Sequence, residues 1–243
     1  MCEEAGMKIG ILGCGNLGRT LGLLWAEAEH TVHFASSDAS KAQDLAQRCG
    51  ANWGSYSEVV AECEVLLYTL RDVAPQKLVD TPRIWRNKTL IDCNLEDIPH
   101  GFEFTPRSRS LAQGLAEQAP LCNVVKAFCL HPVELYQHGP DSLREWNVQT
   151  FYCGDLPEAK QQVRQLALDL GLLPFDCGPL QRAHLLEGQG NFWRLFQLHQ
   201  GQSLVSQFQL VGYPELVDSP YGGRLPTYSG NGGFDAPLDE PAP

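Results

Sequence analysis

Six residues near the start of the chain, Gly13-Cys14-Gly15-Asn16-Leu17-Gly18, have the types and spacing needed to hold a diphosphate. In a G-x-G-x-x-G turn the first glycine permits a tight bend, the second lets an anion approach the backbone, and the third lets a helix pack close to a strand. The N–H groups that open the following helix then face the anion. About twenty residues beyond such a turn, a chain that takes NAD carries Asp or Glu for the ribose hydroxyls. Here the sequence reads Ser36-Ser37-Asp38. A carboxylate at Ser36 or Ser37 would repel a 2′-phosphate and two hydroxyls do not, while Lys41 and Arg19 are the nearest cations. NADP(H) is therefore preferred over NAD(H), with Ser37 or Asp38 also suited to cap the next helix.

The elements that must position these residues follow from periodicity. Lys8–Leu12 reads as a buried strand, and Leu17, Leu21, Leu24 and Ala28 recur at helical spacing, which predicts a helix over 16–28. Thr31–Ala35 is a second strand, and Ala42, Leu45, Ala46 and Cys49 predict a helix that Gly50 stops. The apolar runs at 65–70, 89–92 and 123–128 have the composition of parallel strands covered on both faces. Two more strands are expected at 148–153 and 172–175. Between them Asp155, Pro157 and Glu158 predict a helix capped by Asp155 and ended by Gly171. The expectation is an α/β, Rossmann-type, doubly wound and mostly parallel sheet over residues 1–180. Residues 181–211 form a helical segment that packs on the sheet or on a second subunit, where two copies could make a homodimer. From Gly212 to Pro243, six Gly, six Pro and five acids against one Arg have the composition of a flexible tail.

Composition removes several function classes. The 243 residues carry 18 basic and 29 acidic side chains, a formal charge of −11, with no Lys/Arg run to track a phosphate backbone. No apolar stretch approaches the ~20 residues of a membrane span, and the first residues are acidic and short, unlike a signal peptide. Nine cysteines without a C-x-x-C pair argue against a disulfide framework and against a zinc ribbon. The expected partner is a small-molecule substrate, with no nucleic acid and no membrane, in a reducing cytoplasm.

Four blocks of sequence go further: Lys8 to Gly22; Leu111 to Phe128, ending in Val124-Val125-Lys126-Ala127-Phe128; Cys153-Gly154-Asp155 with Glu158-Ala159-Lys160; and Asp176-Cys177-Gly178-Pro179-Leu180 with Leu186-Glu187. In this order they resemble the NADP-dependent reductases of the deazaflavin coenzyme F420. They are also similar to the cytosolic NADPH-binding domain of six-transmembrane metalloreductases. The resemblance implies an NADP(H)-binding oxidoreductase in which hydride passes between the nicotinamide and a flavin-like ring, so flavin or coenzyme F420 is implied as a second cofactor or substrate. Three departures stand out. The family's Ser-Arg is Ser36-Ser37 here, its K-A-F-N-T is Lys126-Ala127-Phe128-Cys129-Leu130, and its Arg two residues before Leu-Glu is His184.

The cofactor-binding residues expected are thus Gly13, Cys14, Gly15, Asn16, Leu17, Gly18, Ser36, Ser37 and Lys41 toward the adenosine side. Leu70, Arg71, Asn94 and Ala127, with Thr69 and Cys129 nearby, sit at the strand ends where clefts of open α/β sheets form. Hydride transfer needs no acid–base dyad, because the cofactor carries the chemistry. The two H-x-x-E runs at His131 and His184 lack the converging ligands of a metal site. Cys129 reads as a small buried hydrophobe rather than a nucleophile. Phe192, Leu195, Phe196 and His199 lie on one helical face, expected to be core or dimer interface. A second reading, a non-catalytic NADP(H)-binding sensor or scaffold module, rests on the changes at Cys129, Leu130 and His184 and on the flexible acidic tail expected from Gly212 onward.

Overall fold

The computed structural model describes residues 6–96 and 109–200. The chain divides into two compact units, 1–208 and 209–243. The second lies outside the described residues, as do the expected tail at 212–243 and the end of the 181–211 segment.

The chain opens with β1 (Lys8–Leu12), α1 (Asn16–Glu27), β2 (Thr31–Ala35) and α2 (Ala39–Cys49). Gly50 ends α2 in the left-handed conformation, φ 67°, as its sequence position predicts. There follow β3 (Asn52–Trp53), α3 (Tyr56–Glu62), β4 (Val65–Tyr68), two short 3₁₀ turns, β5 (Thr89–Asp92), α4 (Leu111–Gln118) and β6 (Asn123–Lys126). The chain continues through α5 (Val133–Tyr136), α6 (Gly139–Glu145), β7 (Gln149–Gly154), α7 (Pro157–Asp169), β8 (Leu173–Asp176) and α8 (Ala183–Gln200). The sheet order is β3-β2-β1-β4-β5-β6-β7-β8. All pairings are parallel except β6 with β7. This is the expected Rossmann-type sheet, mostly parallel and doubly wound.

Strand side chains alternate between two apolar layers, as a period of two requires. Ile9, Ile11, Val65 and Leu67 belong to the layer that also holds Trp25, Leu45 and Val163. Leu12, Leu66 and Tyr68 belong to the other, with Val59, Ala112 and Leu186. Both faces are therefore covered, and the strand order reverses beside β1. That reversal opens a crevice at the carboxyl ends of β1 and β4.

Several local expectations are corrected. Asp155 does not cap α7. Leu156 holds the N-cap position without a side-chain bond, and Asp155 Oδ1 accepts the Leu180 amide at 2.9 Å, one residue too early to reach the first turn. The strand predicted to Leu70 ends at Tyr68, because Thr69 turns to the carbonyls of Leu12 and Gly13. The strand predicted to Phe128 ends at Lys126, because Phe128 takes a left-handed φ of 57°. On α8 the buried stripe runs through Ala183, Leu186, Glu187 and Trp193, leaving Phe192 57 % exposed and Phe196 38 % exposed. The predicted aromatic face is thus not the core face. α8 packs on α4 and β7.

Candidate functional site

The three glycines of the turn have three different surroundings. Gly13 has φ 113°, a conformation that side-chained residues rarely adopt, and a Cβ there would meet Thr69 Oγ1 at 2.3 Å. At Gly18 a Cβ would lie 2.1 Å from the Gly13 carbonyl oxygen. At Gly15 a Cβ would meet nothing within 4 Å. Its φ of −70° is open to any residue, so neither backbone conformation nor protein packing requires glycine there. What the missing side chain leaves is open space over the backbone. Gly15 is also the N-cap of α1, and no side chain caps that helix. The first-turn N–H groups keep their hydrogen-bonding capacity and the positive end of the helix dipole faces outward. Residues and space together fit a diphosphate.

The turn forms one wall of a cleft of about 540 Å³, within the range of small-molecule sites. Cys14, Asn16 and Leu17 line it beside the glycines, and Ser36, Ser37 and Lys41 line its far end. Asp38 caps α2, accepting from Ser40 N at 3.2 Å, while Lys41 Nζ lies 3.7 Å from Asp38 Oδ2. Ser36 Oγ accepts from Asp38 N at 3.2 Å. The Asp38 carboxylate is thus occupied in holding α2. Among the described residues no Asp or Glu lines the cleft, and three cations do: Lys41, Arg71 and Arg194. In a chain of net charge −11 this is a local reversal of sign.

At the inner end Leu70, Arg71 and Asn94 line the cleft, as the sequence predicts. Ala127 does not. It is 1 % exposed, its side chain belongs to the core, and Phe128 and Cys129 line the wall instead, because the left-handed Phe128 turns the chain toward the opening. Burial pushes the Cys14 and Cys129 thiols up to about 11 each, against the opposing pull of Lys41 on the first and Lys126 on the second. Both stay protonated at neutral pH, which is the chemistry of packing rather than of a nucleophile.

His131, which the sequence marks only as half of an H-x-x-E run, also lines this end. Its Nε2 lies 2.8 Å from the Gln149 carbonyl and therefore donates to it. Burial drives its pKa down to about 4, opposed by that backbone bond, so the ring is neutral at pH 7. Nδ1 is buried and has no hydrogen-bond partner. Among the described residues no cluster of three or more His, Cys, Asp or Glu is placed to hold a metal ion. His184 lies apart from the cleft, with Nδ1 2.8 Å from the Gln181 carbonyl.

Behind the inner wall lies a buried ion cluster. Lys126 is 0 % exposed; its ammonium donates to Asp92 Oδ2 at 2.8 Å and to the Asn94 carbonyl, and forms an ion pair with Glu187 Oε1 at 3.1 Å. Burial alone would lower its pKa, but Asp92 and Glu187 hold it above the ordinary lysine value. Glu187 also accepts the Leu111 and Ala112 amides at 2.9 and 3.2 Å, a charged cap on α4. The Leu186-Glu187 pair of the sequence thus ties α8 to the start of α4 and to the strand end beneath the cleft.

Tyr56 and Arg194 also line the cleft, and neither is among the site residues expected from the sequence. For Tyr56 a signal exists: Ser55 and Glu58 form a capping box, with Ser55 N to Glu58 Oε2 at 2.7 Å, which sets α3 and its first residue beside Ser37. For Arg194 no local pattern marks it, since its place depends on α8 crossing the loop after β5, where it donates to the Glu96 carbonyl.

A glycine turn at the switch point of a doubly wound sheet, opening on a cleft that no described Asp or Glu lines, is the arrangement of a dinucleotide-binding fold. Residues 8–96 match the family model for NADP oxidoreductase, coenzyme F420-dependent. The chain is 30 % identical over 180 residues to metalloreductase STEAP3 of Rattus norvegicus, covering 74 % of this chain and 36 % of that protein. It is 23 % identical over 220 residues to metalloreductase STEAP2 of Homo sapiens, covering 88 % and 43 %. The chain thus spans less than half the length of these relatives. A crystal structure of a putative F420-dependent NADP-reductase from Arthrobacter sp. FB24 superposes with a TM-score of 0.73 at 22 % identity, covering 85 % of this chain and all of that one. A reductive aminase from Aspergillus terreus, solved with NADPH, gives 0.60 at 19 % identity over 81 % of this chain and 63 % of that one. Both resemblances read from the sequence are borne out. Among the described residues no helix is long and apolar enough to cross a membrane.

Proposed function

We propose that this chain binds NADP(H) in the cleft and delivers hydride from it to a flat acceptor, a flavin, a deazaflavin such as coenzyme F420, or another small molecule. One observation carries the reading: Gly15 borders open space at the uncapped start of α1, where neither packing nor φ asks for glycine. The nicotinamide supplies the hydride. The chain's own residues hold, orient and shield. The amides after Gly15 bind the diphosphate, and Ser36, Ser37 and Lys41 meet the 2′-phosphate where no free carboxylate opposes it. Leu70, Leu95, Phe128, Cys129 and Val133 make an apolar inner wall that excludes water from the reacting end. His131 is neutral at pH 7 and buried, so it does not serve as a general acid, and hydride transfer does not need one. The names of the relatives, metalloreductases and an F420-dependent NADP-reductase, support a redox partner at this end.

The test is a titration of the full chain with NADPH and NADH by nicotinamide fluorescence, followed by NADPH oxidation with FMN, FAD, coenzyme F420 and ferric chelates. Tighter NADPH than NADH and oxidation with one acceptor are expected. No binding of either nucleotide overturns the proposal. Binding without oxidation across the panel moves the reading to a sensor of the NADP(H) pool.

A further inference from the structure

Asn94 has its whole hydrogen-bonding capacity fixed from below except for one atom. Its backbone N–H donates to Asp92 Oδ1 at 3.1 Å, and its carbonyl accepts from Lys126. Its side-chain nitrogen donates both protons, one to the Tyr68 carbonyl and one to Asp92 Oδ1, each at 3.0 Å. The amide cannot be reversed. In the other orientation its oxygen would face a carbonyl and a carboxylate, two acceptors with no proton between them. Oδ1 is therefore the remaining atom, and no described group donates to it. Asn94 lines the inner end of the cleft.

What holds Asn94 is held in turn. Asp92 Oδ1 takes two bonds from Asn94, and its Oδ2 takes the Lys126 ammonium. Lys126 is fixed on its other side by Glu187, and Glu187 by the first two amides of α4. Lys126, Asp92 and Glu187 are all at least nine-tenths buried. A fully satisfied polar network of this kind rigidifies what it touches.

We infer that Asn94 Oδ1 is a fixed acceptor for a hydrogen-bond donor on the nicotinamide half of the dinucleotide, its carboxamide N–H or a ribose hydroxyl, and that Asp92 and Lys126 are the positioning residues that aim it. The inference rests on the nucleotide reading above and deepens it. It assigns to a buried ion cluster outside the cleft the task of setting how the reacting ring lies.

The experiment compares two ligands. NADPH carries the nicotinamide half, and 2′,5′-ADP carries only the adenosine and 2′-phosphate half. For Asn94→Ala in the full chain, NADPH affinity falls by about tenfold, as for loss of a well-made hydrogen bond, and 2′,5′-ADP affinity stays unchanged. Lys126→Gln gives the same selective loss without touching ligand. A structural role alone would move both ligands together, so equal losses overturn the inference, as does unchanged NADPH affinity in Asn94→Ala. Should Lys126→Gln fail to fold, Glu187→Gln, which keeps the Lys126–Asp92 pair, must show the selective loss, and its absence overturns the positioning role. If the unaltered chain binds neither ligand, the nucleotide reading itself falls.

Discussion

A Cβ on Gly18 would stand 2.1 Å from the carbonyl oxygen of Gly13, so the first turn of α1 and the floor of the glycine turn meet backbone to backbone. Gly15, between them, meets nothing. The same motif thus contains two positions fixed by the fold and one left for a ligand.

The first prediction follows from that contrast. Gly15→Asp keeps the fold, with a melting temperature close to that of the parent, and abolishes NADPH binding by filling the space and repelling the diphosphate. Gly18→Ala forces the backbone apart and destabilises the chain by about 1–3 kcal/mol. Thermal melts and NADPH titrations of the two variants check the pair. A Gly15→Asp protein that binds normally would show that the turn is not the site.

Lys41 and Ser37 bear on cofactor choice. Lys41→Ala weakens NADPH by about tenfold, the size of a charge-assisted contact to phosphate, and leaves NADH unchanged. Because Lys41 is two-thirds exposed, the difference shrinks as salt is raised. Parallel titrations at low and high ionic strength read it. Ser37→Asp should reverse the preference toward NADH, since it returns a carboxylate to the end of β2.

The Lys126 cluster bears on stability. Lys126→Met removes the one cation from between Asp92 and Glu187 and leaves two buried carboxylates facing each other, at a cost of about 3–5 kcal/mol. Glu187→Gln keeps the Lys126–Asp92 pair and costs less. Urea unfolding of both variants checks the order, and equal losses would mean that the cap on α4, rather than the ammonium, dominates.

His131 sets a pH dependence. Its folded-state value is lowered from 6.5 to about 4, so between those values the unfolded chain takes up a proton that the folded chain refuses. Stability from this group is complete above pH 6.5 and is lost as pH falls toward 4, by at most about 3 kcal/mol. His131→Gln keeps a donor for the Gln149 carbonyl and does not titrate. Its melting temperature should decline less steeply than the parent's from pH 6.5 to 4.5, and parallel slopes would refute the assignment.

The parts of this molecule legible in its sequence are those set by near neighbours. β2 occupies the predicted residues, β1 and α1 agree to within a residue, and the glycine turn, Ser36, Ser37, Lys41 and Asn94 all line one cleft. α3 and α4 escape a reading by periodicity because their apolar stripes are short, although each announces itself with a capping box, Ser55 with Glu58 and Ser110 with Gln113. Ala127 is misplaced by the same kind of reading because strand periodicity runs on through Phe128, and nothing in Val124-Val125-Lys126-Ala127-Phe128 signals a left-handed turn. The phase of α8 is obscured for a similar reason: Phe192 and Phe196 outweigh Trp193 by count, yet the helix is clocked by Glu187, whose partner Lys126 lies on a distant strand. Arg194 reaches the cleft only through that docking.

The Lys126 cluster also sets an order of events. The diphosphate end of the cleft is built from β1, α1 and β2, which follow one another directly along the chain. Its other end is complete only when Glu187, far downstream, has met Lys126 and the start of α4. Closing a short loop costs little entropy and closing a long one costs more. The two halves of one ligand site are therefore products of opposite folding regimes, one local and one completed only by the last described helix. A nascent chain halted before α8 would carry a formed glycine turn and an ammonium held by Asp92 but not yet by Glu187, a pocket able to hold the adenosine half of a dinucleotide while the group that aims the other half is only partly fixed.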